Sequence, residues 1–402
     1  MSRPTLLVAS LMREQGWCGV QTHFRAIMAF ARRQGYAAHL AEPHLVNPWI
    51  RRFPGLVARI LGRISPERAV LWQRAFACLY LRTSLRRHLR ALTGKPVVIY
   101  AQDPLSARAA LALRREGYRF RLVAVLHFNI SEAYESQLNG QTREGGPLWR
   151  SLMSLEQETL PQLDKVIFVS DYMRRIVLAR NPGMAAVEQA VIPNFPEHEV
   201  EQIADVASRA DIISIGTLEP RKNQGYLLHV LAEAKRLGHC YRLTLAGDGP
   251  SRKEWEALAE RLGIADQVEF LGYVSGAARL LRGHRAYVHA ARMESFGIVL
   301  VEAMSCGLPV FAPAVGGIPE VFDNGVEGIE WPLDDVSSCA KKLIDLLENN
   351  LAWQAMSRAA RQRYVTRFSP AVLGPTWLDA ITVERSSTSR TALSSALVME
   401  TT

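Results

Sequence analysis

The chain of 402 residues carries only five cysteines, Cys18, Cys78, Cys240, Cys306 and Cys339, an odd number with no Cys-x-x-Cys pair among them. That scatter argues against a disulfide framework and a thiolate zinc site, and points to a reducing cytoplasm. Long apolar runs are missing as well. No stretch approaches the roughly 18 to 20 consecutive apolar residues needed to span a bilayer, and no cationic segment with a signal-like apolar stretch opens the chain, so a soluble or peripheral protein is expected. There is no Asp-x-Asp and no His/Asp cluster able to hold Mg or Mn beside a diphosphate, so the expectation is that no metal takes part. Acid is scarce in one half only. Residues 1–200 hold 27 Lys and Arg against 15 Asp and Glu, the remainder 21 against 24, within a net charge of +9. An anionic partner would therefore meet the first half. A chain of this length and ordinary hydrophobicity is too long for one typical core and fits two α/β domains.

Against those absences stands one dense stretch, Ala286 to Glu320. Ala286 to Ala291 reads as a strand, while Ile298 to Ser305 is rich in helix formers and stops at Gly307 with Pro309 beyond. A helix is thus predicted to start near Ser295-Phe296-Gly297. At the carboxyl edge of an open parallel sheet, its unpaired N–H groups and positive dipole end suit a phosphate. Glu294 on the loop and Glu302 two turns up the helix can face one crevice. Two carboxylates beside a phosphate site suit a hydroxyl-rich ligand, because ionised oxygens accept from sugar or ribose OH groups. Taken alone, the pair reads more readily as a solvated loop acid and a surface helix acid than as a site. The run Glu-Ser-Phe-Gly-Ile-Val-Leu-Val-Glu-Ala-Met-Ser-Cys-Gly-Leu-Pro-Val, however, resembles the donor-site signature of the family-4 glycosyltransferases, two Glu separated by seven residues. That family has the α/β GT-B fold, two Rossmann-like domains facing across a cleft.

From the start, Thr5 to Ser10 reads as a strand, Gly16-Trp17-Cys18-Gly19-Val20 as a glycine turn, and Gln21 to Gln34 as a helix. The resemblance gives Gly19 and Val20 an acceptor-side place on the cleft. Tyr36 to Glu42 is the second strand. Between residues 51 and 95 stand eleven basic side chains and one acid, Glu67. Phe53, Leu56, Val57, Ile60, Leu61 and Ile64 fall on one helical stripe, with Arg52, Arg59 and Arg63 off it. A second helix follows Pro66, with Leu71, Trp72, Ala75, Phe76, Cys78 and Leu79 on one side. This basic pair either packs on the domain core or lies on an anionic membrane, for which Trp49, Phe53 and Trp72 are suited anchors. Val97 to Gln102 and Arg121 to Leu126 are strands, the latter ending at His127. By resemblance, His127 matches the histidine that contacts the donor sugar near the reacting carbon. Leu138 to Pro147 is a polar, mobile loop by composition. Lys165 to Ser170 and Val191 to Asn194 are the last strands of this half, with a helix from Asp171 to about Arg180 between them, and Glu197 to Arg209 is a charged linker.

Asp211 to Gly216 restarts the strand–helix pattern, followed by Thr217-Leu218-Glu219-Pro220-Arg221-Lys222-Asn223. Two adjacent cations at such a turn can neutralise a diphosphate. The family carries a lysine six residues after the strand-end glycine, which Lys222 matches from Gly216, and commonly an arginine directly after that glycine, where this chain has Thr217. Tyr241 to Ala246 ends in Gly247-Asp248-Gly249-Pro250, a turn that resembles the family's loop near the nucleotide. Val268 to Val274 is a strand, Ser275 to Arg282 a helix, and Gly316-Gly317-Ile318-Pro319-Glu320 a turn and helix start. Helices are predicted at Asp335 to Leu347, Leu351 to Arg367 and Val372 to Val383, the last crossing back to the first domain.

The expected organisation is an N-terminal acceptor-side domain (1–195), a donor-binding domain (210–370), a crossover helix (371–385) and a disordered tail (386–402). The resemblance implies retaining transfer of a hexose, of mannose or glucose type, from a nucleotide-diphosphate sugar to a glycan or lipid-linked acceptor. No cofactor beyond that co-substrate and no nucleic-acid partner are expected, and the place of work is the cytoplasmic face of a membrane. By the same resemblance, catalytic roles are expected of His127, Lys222 and Glu294. The donor site comprises Gly216, Arg221, Lys222, Gly247, Glu294, Ser295, Phe296, Gly297, Ile298 and Glu302. A nucleotide-sugar epimerase of the same fold, or a non-catalytic scaffold of glycan assembly, is the alternative.

Overall fold

The computed structural model describes residues 3–14, 16, 19–43, 48–197 and 210–382, with residues 48–53 described by their backbone alone. Two six-stranded parallel sheets form it. The first half runs β1 (Thr5–Ala9), α1 (Gly19–Arg33), β2 (Ala38–Ala41), α2 (Pro48–Ile64), α3 (Pro66–Ala91), β3 (Val97–Ala101), α4 (Pro104–Arg115), β4 (Arg121–Leu126), α5 (Glu132–Leu138), α6 (Pro147–Thr159), β5 (Lys165–Phe168), α7 (Asp171–Arg180) and β6 (Glu188–Val191). The second runs β7 (Ile212–Ile215), α8 (Gln224–Arg236), β8 (Leu243–Ala246), α9 (Arg252–Arg261), β9 (Val268–Gly272), β10 (Ala286–Val288), α10 (Ile298–Ser305), β11 (Val310–Ala312), β12 (Gly328–Glu330), α11 (Val336–Glu348), α12 (Asn350–Arg363) and α13 (Pro370–Thr382). Strand order is β2-β1-β3-β4-β5-β6 in one sheet and β12-β11-β10-β7-β8-β9 in the other.

Local chemistry accounts for most of these elements. β1 and β3 are buried along their whole length, as parallel strands covered on both faces must be. Ser65, Asp103 and Ser170 cap α3, α4 and α7 by accepting from Arg68, Ser106 and Met173 N–H groups, and Pro66 and Pro104 occupy first-turn positions that lack a hydrogen-bond partner anyway. α12 ends in a five-residue π turn, Tyr364–Phe368, that redirects the chain into α13. Trp377 of α13 meets Tyr100 of β3 edge-on at 5.5 Å, so the last helix packs on the first sheet.

Several boundaries differ from expectation. Gly19 and Val20 begin α1 instead of preceding it. The sixth strand lies at Glu188–Val191, earlier than predicted, because Glu188 pairs in register with Lys165 and bonds both Lys165 and Arg121, whereas Pro193 has no N–H for a ladder. The segment after β9 is a seven-residue 3₁₀ turn, Ala277–Gly283, confined between Gly276 and Gly283. Ile318–Glu320 is likewise a single 3₁₀ turn rather than a helix start. β10 keeps three residues, and the chain from His289 onward turns into the loop that carries Glu294. The 138–147 loop is tied down by the one acid of the basic segment: Glu67 accepts from Thr142 Oγ1 at 3.0 Å and Leu148 N at 3.2 Å. The linker from 198, the tail from 386, Trp17, Cys18 and the side chains of Trp49, Arg52 and Phe53 lie outside the described residues.

Of the basic pair, α2 packs on α3, with Trp72 Nε1 donating to Pro54 O at 3.2 Å, and Ala58 of α2 is buried. Its stripe is split by that packing. Leu56, Ile60 and Ile64 point outward, exposed by 58%, 55% and 72%.

Candidate active site

In the second sheet the strand order reverses between β7 and β10. A crevice opens beyond the carboxyl ends of strands at such a point. The loop after β7 brings Gly216, Arg221 and Lys222 there, and the loop after β10 brings Glu294. The backbone ties the two loops together, Arg292 N donating to Arg221 O at 2.9 Å. The next loop, after β8, closes against the first so tightly that a Cβ on Gly247 would lie 1.9 Å from Gly216 O, a distance no side chain could occupy. Gly216 and Gly247 thus serve packing of the loop floor.

Lys222 Nζ donates to Glu294 Oε2 at 2.5 Å. Glu294 is only 9% exposed. Burial alone would push its carboxyl up, but the Lys222 ammonium and His289 outweigh that and hold it well below the usual carboxylate range. Arg221 is pinned by Glu219 Oε1 at 2.7 Å and by Met293 O at 3.3 Å, beside the same loop. Asn223 takes the left-handed conformation, φ 55°, that starts α8 immediately after the cations.

Behind Glu294 sits a pair that no sequence motif marks. Tyr287 Oη lies 3.3 Å from Ile215 O and 3.2 Å from His289 Nδ1, and His289 Nε2 lies 3.5 Å from Glu294 Oε2. His289 Nε2 makes no hydrogen bond, so at 3.5 Å it faces the carboxylate as a polar contact and leaves Lys222 as the principal partner. Burial keeps His289 below its ordinary pKa against the pull of Glu294. The single Tyr287 hydroxyl hydrogen goes to Ile215 O, which leaves the hydroxyl oxygen to accept from His289 Nδ1. The strand period of two, which sets residues 287 and 289 on one face ahead of the Glu294 loop, is the signal that could have found them.

α10 is capped by no side chain; Gly297, φ 87°, stands before it, so its first amides keep their capacity for an anion. Glu302, on α10, is partly accessible, yet desolvation pushes its carboxyl up to about 7, with Arg25 of the first domain pulling the other way. The two signature carboxylates are therefore held in opposite electrostatic states. Phe296 does not face the crevice: it is 1% exposed and meets Phe368 edge-on, so only its backbone is available to a ligand. Ile298 is buried too, and a Cβ on Gly19 would lie 3.8 Å from its Cγ2, which sets the start of α1 opposite the start of α10.

The first domain supplies His127 at the end of β4. Ser295 Oγ donates to His127 O at 3.2 Å, placing it against the Glu294 loop. Its ring Nε2 lies 3.4 Å from Gln102 Oε1, and its face meets His23 in a T arrangement at 4.9 Å. Burial pulls His127 down to about 3, so the ring is neutral. His23, also without a motif to mark it, lies 3.1 Å from Tyr100 Oη and is lowered by burial and by His127. Val20 lies half-buried beside this core.

Residues 17–199 match the family described as Glycosyltransferase Family 4, and residues 197–363 the one described as Glycosyl transferases group 1. The chain is 32% identical over 198 residues to a phosphatidylinositol N-acetylglucosaminyltransferase subunit from Arabidopsis thaliana, an alignment covering 48% of this chain and 44% of that protein. It thus spans under half the length of that relative. Against the glycogen synthase of Mycobacterium tuberculosis it is 27% identical over 307 residues, covering 74% of this chain and 72% of the other. The Anabaena protein HepE, solved with UDP and glucose, superposes with a TM-score of 0.67 at 19% identity over 94% of this chain and 99% of that one, a likeness of fold.

Proposed function

We propose, given that this chain belongs to the family-4 glycosyltransferases and has the GT-B fold, that it moves a hexose of mannose or glucose type from a nucleotide-diphosphate sugar to a growing lipid-linked glycan, with retention at the anomeric carbon. Glycosyl transfer is the family's chemistry; the sugar, the acceptor and the residue roles are the proposed part. The observation that carries the reading is the Lys222–Glu294 pair beside the uncapped start of α10, with neutral His127 against the same loop across the cleft.

In this reading the departing diphosphate develops negative charge that Lys222, Arg221 and the α10 amides meet in preorganised positions. Lys222 has three N–H donors, of which one serves Glu294, so two remain for phosphate oxygens. Arg221 stands in for the arginine missing at Thr217, since its anchoring on Met293 O sets its charge next to Glu294. Glu294 Oε1 is left to accept from a sugar hydroxyl, and Glu302 from the ribose. His127, neutral and donating from Nε2 to Gln102, offers polar contact without placing a cation near an anomeric carbon that itself becomes positive. These fixed cations supply the charge that a divalent ion supplies in other transferases, and this supports metal independence.

The acceptor reading rests on the outer face of α2. Leu56, Ile60 and Ile64 stand one turn apart on one line, with exposed Arg59, Arg63 and Arg68 around them. No helix among the described residues is long and apolar enough to cross a membrane. An anionic bilayer surface fits both halves of that face: each Arg contributes about 1 kcal/mol near anionic lipid, and each aliphatic side chain roughly 1.5–3 kcal/mol when fully withdrawn from water. The relative named for phosphatidylinositol supports a lipid-borne acceptor.

The deciding experiment is incubation with a panel of UDP- and GDP-sugars and isoprenoid-diphosphate glycans, with mass analysis of products. A product heavier by one hexose supports the reading. Interconversion of the nucleotide sugars without transfer would instead make the protein an epimerase, and inertness with every donor a scaffold.

A further inference from the structure

The turn after β11 makes a contact across the cleft that the transfer chemistry leaves unused. Glu320 Oε2 accepts from Asp171 N, and Glu320 Oε1 accepts from Tyr172 N, both at 2.7 Å. These are the first two amides of α7, which have no partner inside their own helix. The next amide, Met173 N, is taken at 3.2 Å by Ser170 Oγ, whose own hydrogen goes to Ser295 O at 2.7 Å. The start of α7 in the first domain is therefore satisfied largely from the second, by a carboxylate seated on the positive end of a helix.

On its own side, the turn cannot move apart from the site. Gly317 N donates to Glu294 O at 2.9 Å. A Cβ on Gly316 would lie 2.0 Å from Glu294 O, and one on Gly317 2.1 Å from Ser295 O and 3.0 Å from Ser170 Oγ. The Glu294–Ser295 peptide is thus gripped between the glycine turn and the α7 start, and the turn is anchored through Glu320. Any hinge opening that separates the two sheets must break both Glu320 bonds and the Ser170–Ser295 bond together, and leave two helix amides bare.

We propose that Glu320 is a positioning residue, a carboxylate clasp that holds the two domains closed by capping α7 and, through the Gly316–Gly317 turn, seats the Glu294 loop against Lys222. This goes beyond the transfer reading and stands without knowledge of the donor. The test compares the full chain with its E320Q and E320A variants by hydrogen–deuterium exchange and small-angle scattering. The expected result is exchange about tenfold faster or more at the amides of Asp171 and Tyr172 in both variants, unchanged exchange in the rest of the first domain, and a larger radius of gyration. Once a donor is known, kcat falls as well. Unchanged protection at those amides in both variants overturns the clasp. Faster exchange throughout the first domain, with a lowered Tm, would make Glu320 an ordinary stabilising cap and overturns it too. Should both variants unfold, the wild type decides: first-turn amides of α7 exchanging at the rate of a free peptide contradict the proposal.

Discussion

Lys222 Nζ and Glu294 Oε2, 72 residues apart in the chain, lie 2.5 Å apart in the fold. Each is the other's main counter-charge, and both face the crevice where a donor diphosphate would add two further negative charges. Loading the site would therefore bring new negative charge onto a cation already held in place, with the Lys222 N–H donors not used by Glu294 left to meet it.

Replacing either partner with alanine should lower transfer by about 100-fold or more, the scale seen when one preorganised stabiliser of developing charge is lost. K222A also carries a stability signature. The Glu294 carboxyl is depressed in the folded protein, so its contribution is present above the ordinary value of 4.5 and is lost as pH falls through the folded one. Wild type should unfold at a higher temperature than K222A at pH 7, and the gap should close in acid. Near wild-type turnover by folded E294A would remove Glu294 from the site.

Glu302 should behave in the opposite sense. Its folded pKa is raised from 4.5 to about 7, so the native state binds more protons between those values. The associated stability is complete below about 4.5 and lost as pH rises through 7. If Glu302, as proposed, accepts from the ribose hydroxyls when ionised, UDP affinity measured by calorimetry should rise between pH 6 and pH 8, as a rough window around that value. E302Q should be flat over the same range, and a parallel rise in that variant would assign the titration elsewhere.

Chelation offers a third check. If Arg221, Lys222 and the α10 amides supply the charge as proposed, EDTA should leave the initial rate within about twofold. A rate abolished by EDTA and restored by Mn contradicts the assignment.

Membrane attachment is tested by flotation with anionic liposomes. Wild type should float at low salt and sink as salt is raised, because the Debye length contracts from about 30 Å at 0.01 M to about 8 Å at 0.15 M. The triple variant L56S/I60S/I64S and the charge reversal R59E/R63E should both stay at the bottom. Wild type remaining there at low salt would favour a soluble acceptor.

The basic segment shows where sequence reasoning stops. The 3.6-residue stripe through Leu56, Ile60 and Ile64 was legible, and so was the break at Ser65-Pro66, since periodicity and capping are local. Which side of the stripe would be covered was not legible, because that depended on how α3 lies against α2, where Trp72 Nε1 donates to Pro54 O. Phe296 is a related case: its place in the signature suggested a ligand contact, yet its ring meets Phe368, a residue far along the chain.

By itself the sequence determined the two runs of strand–helix units, the helix starts at Asp103-Pro104 and Ser170-Asp171, the helix Ile298–Ser305, and the eight-residue spacing of Glu294 and Glu302, all of which depend on neighbours within a few turns of chain. The tertiary structure alone decided that Glu294 is held ionised while Glu302 is pushed toward neutrality, that Tyr287 and His289 stand behind the first, and that Ser170, Ser295, His127 and Glu320 join the two domains. The reason is physical: desolvation and Coulomb energy depend on distance in space and on what excludes water, and both are set by partners from remote parts of the chain.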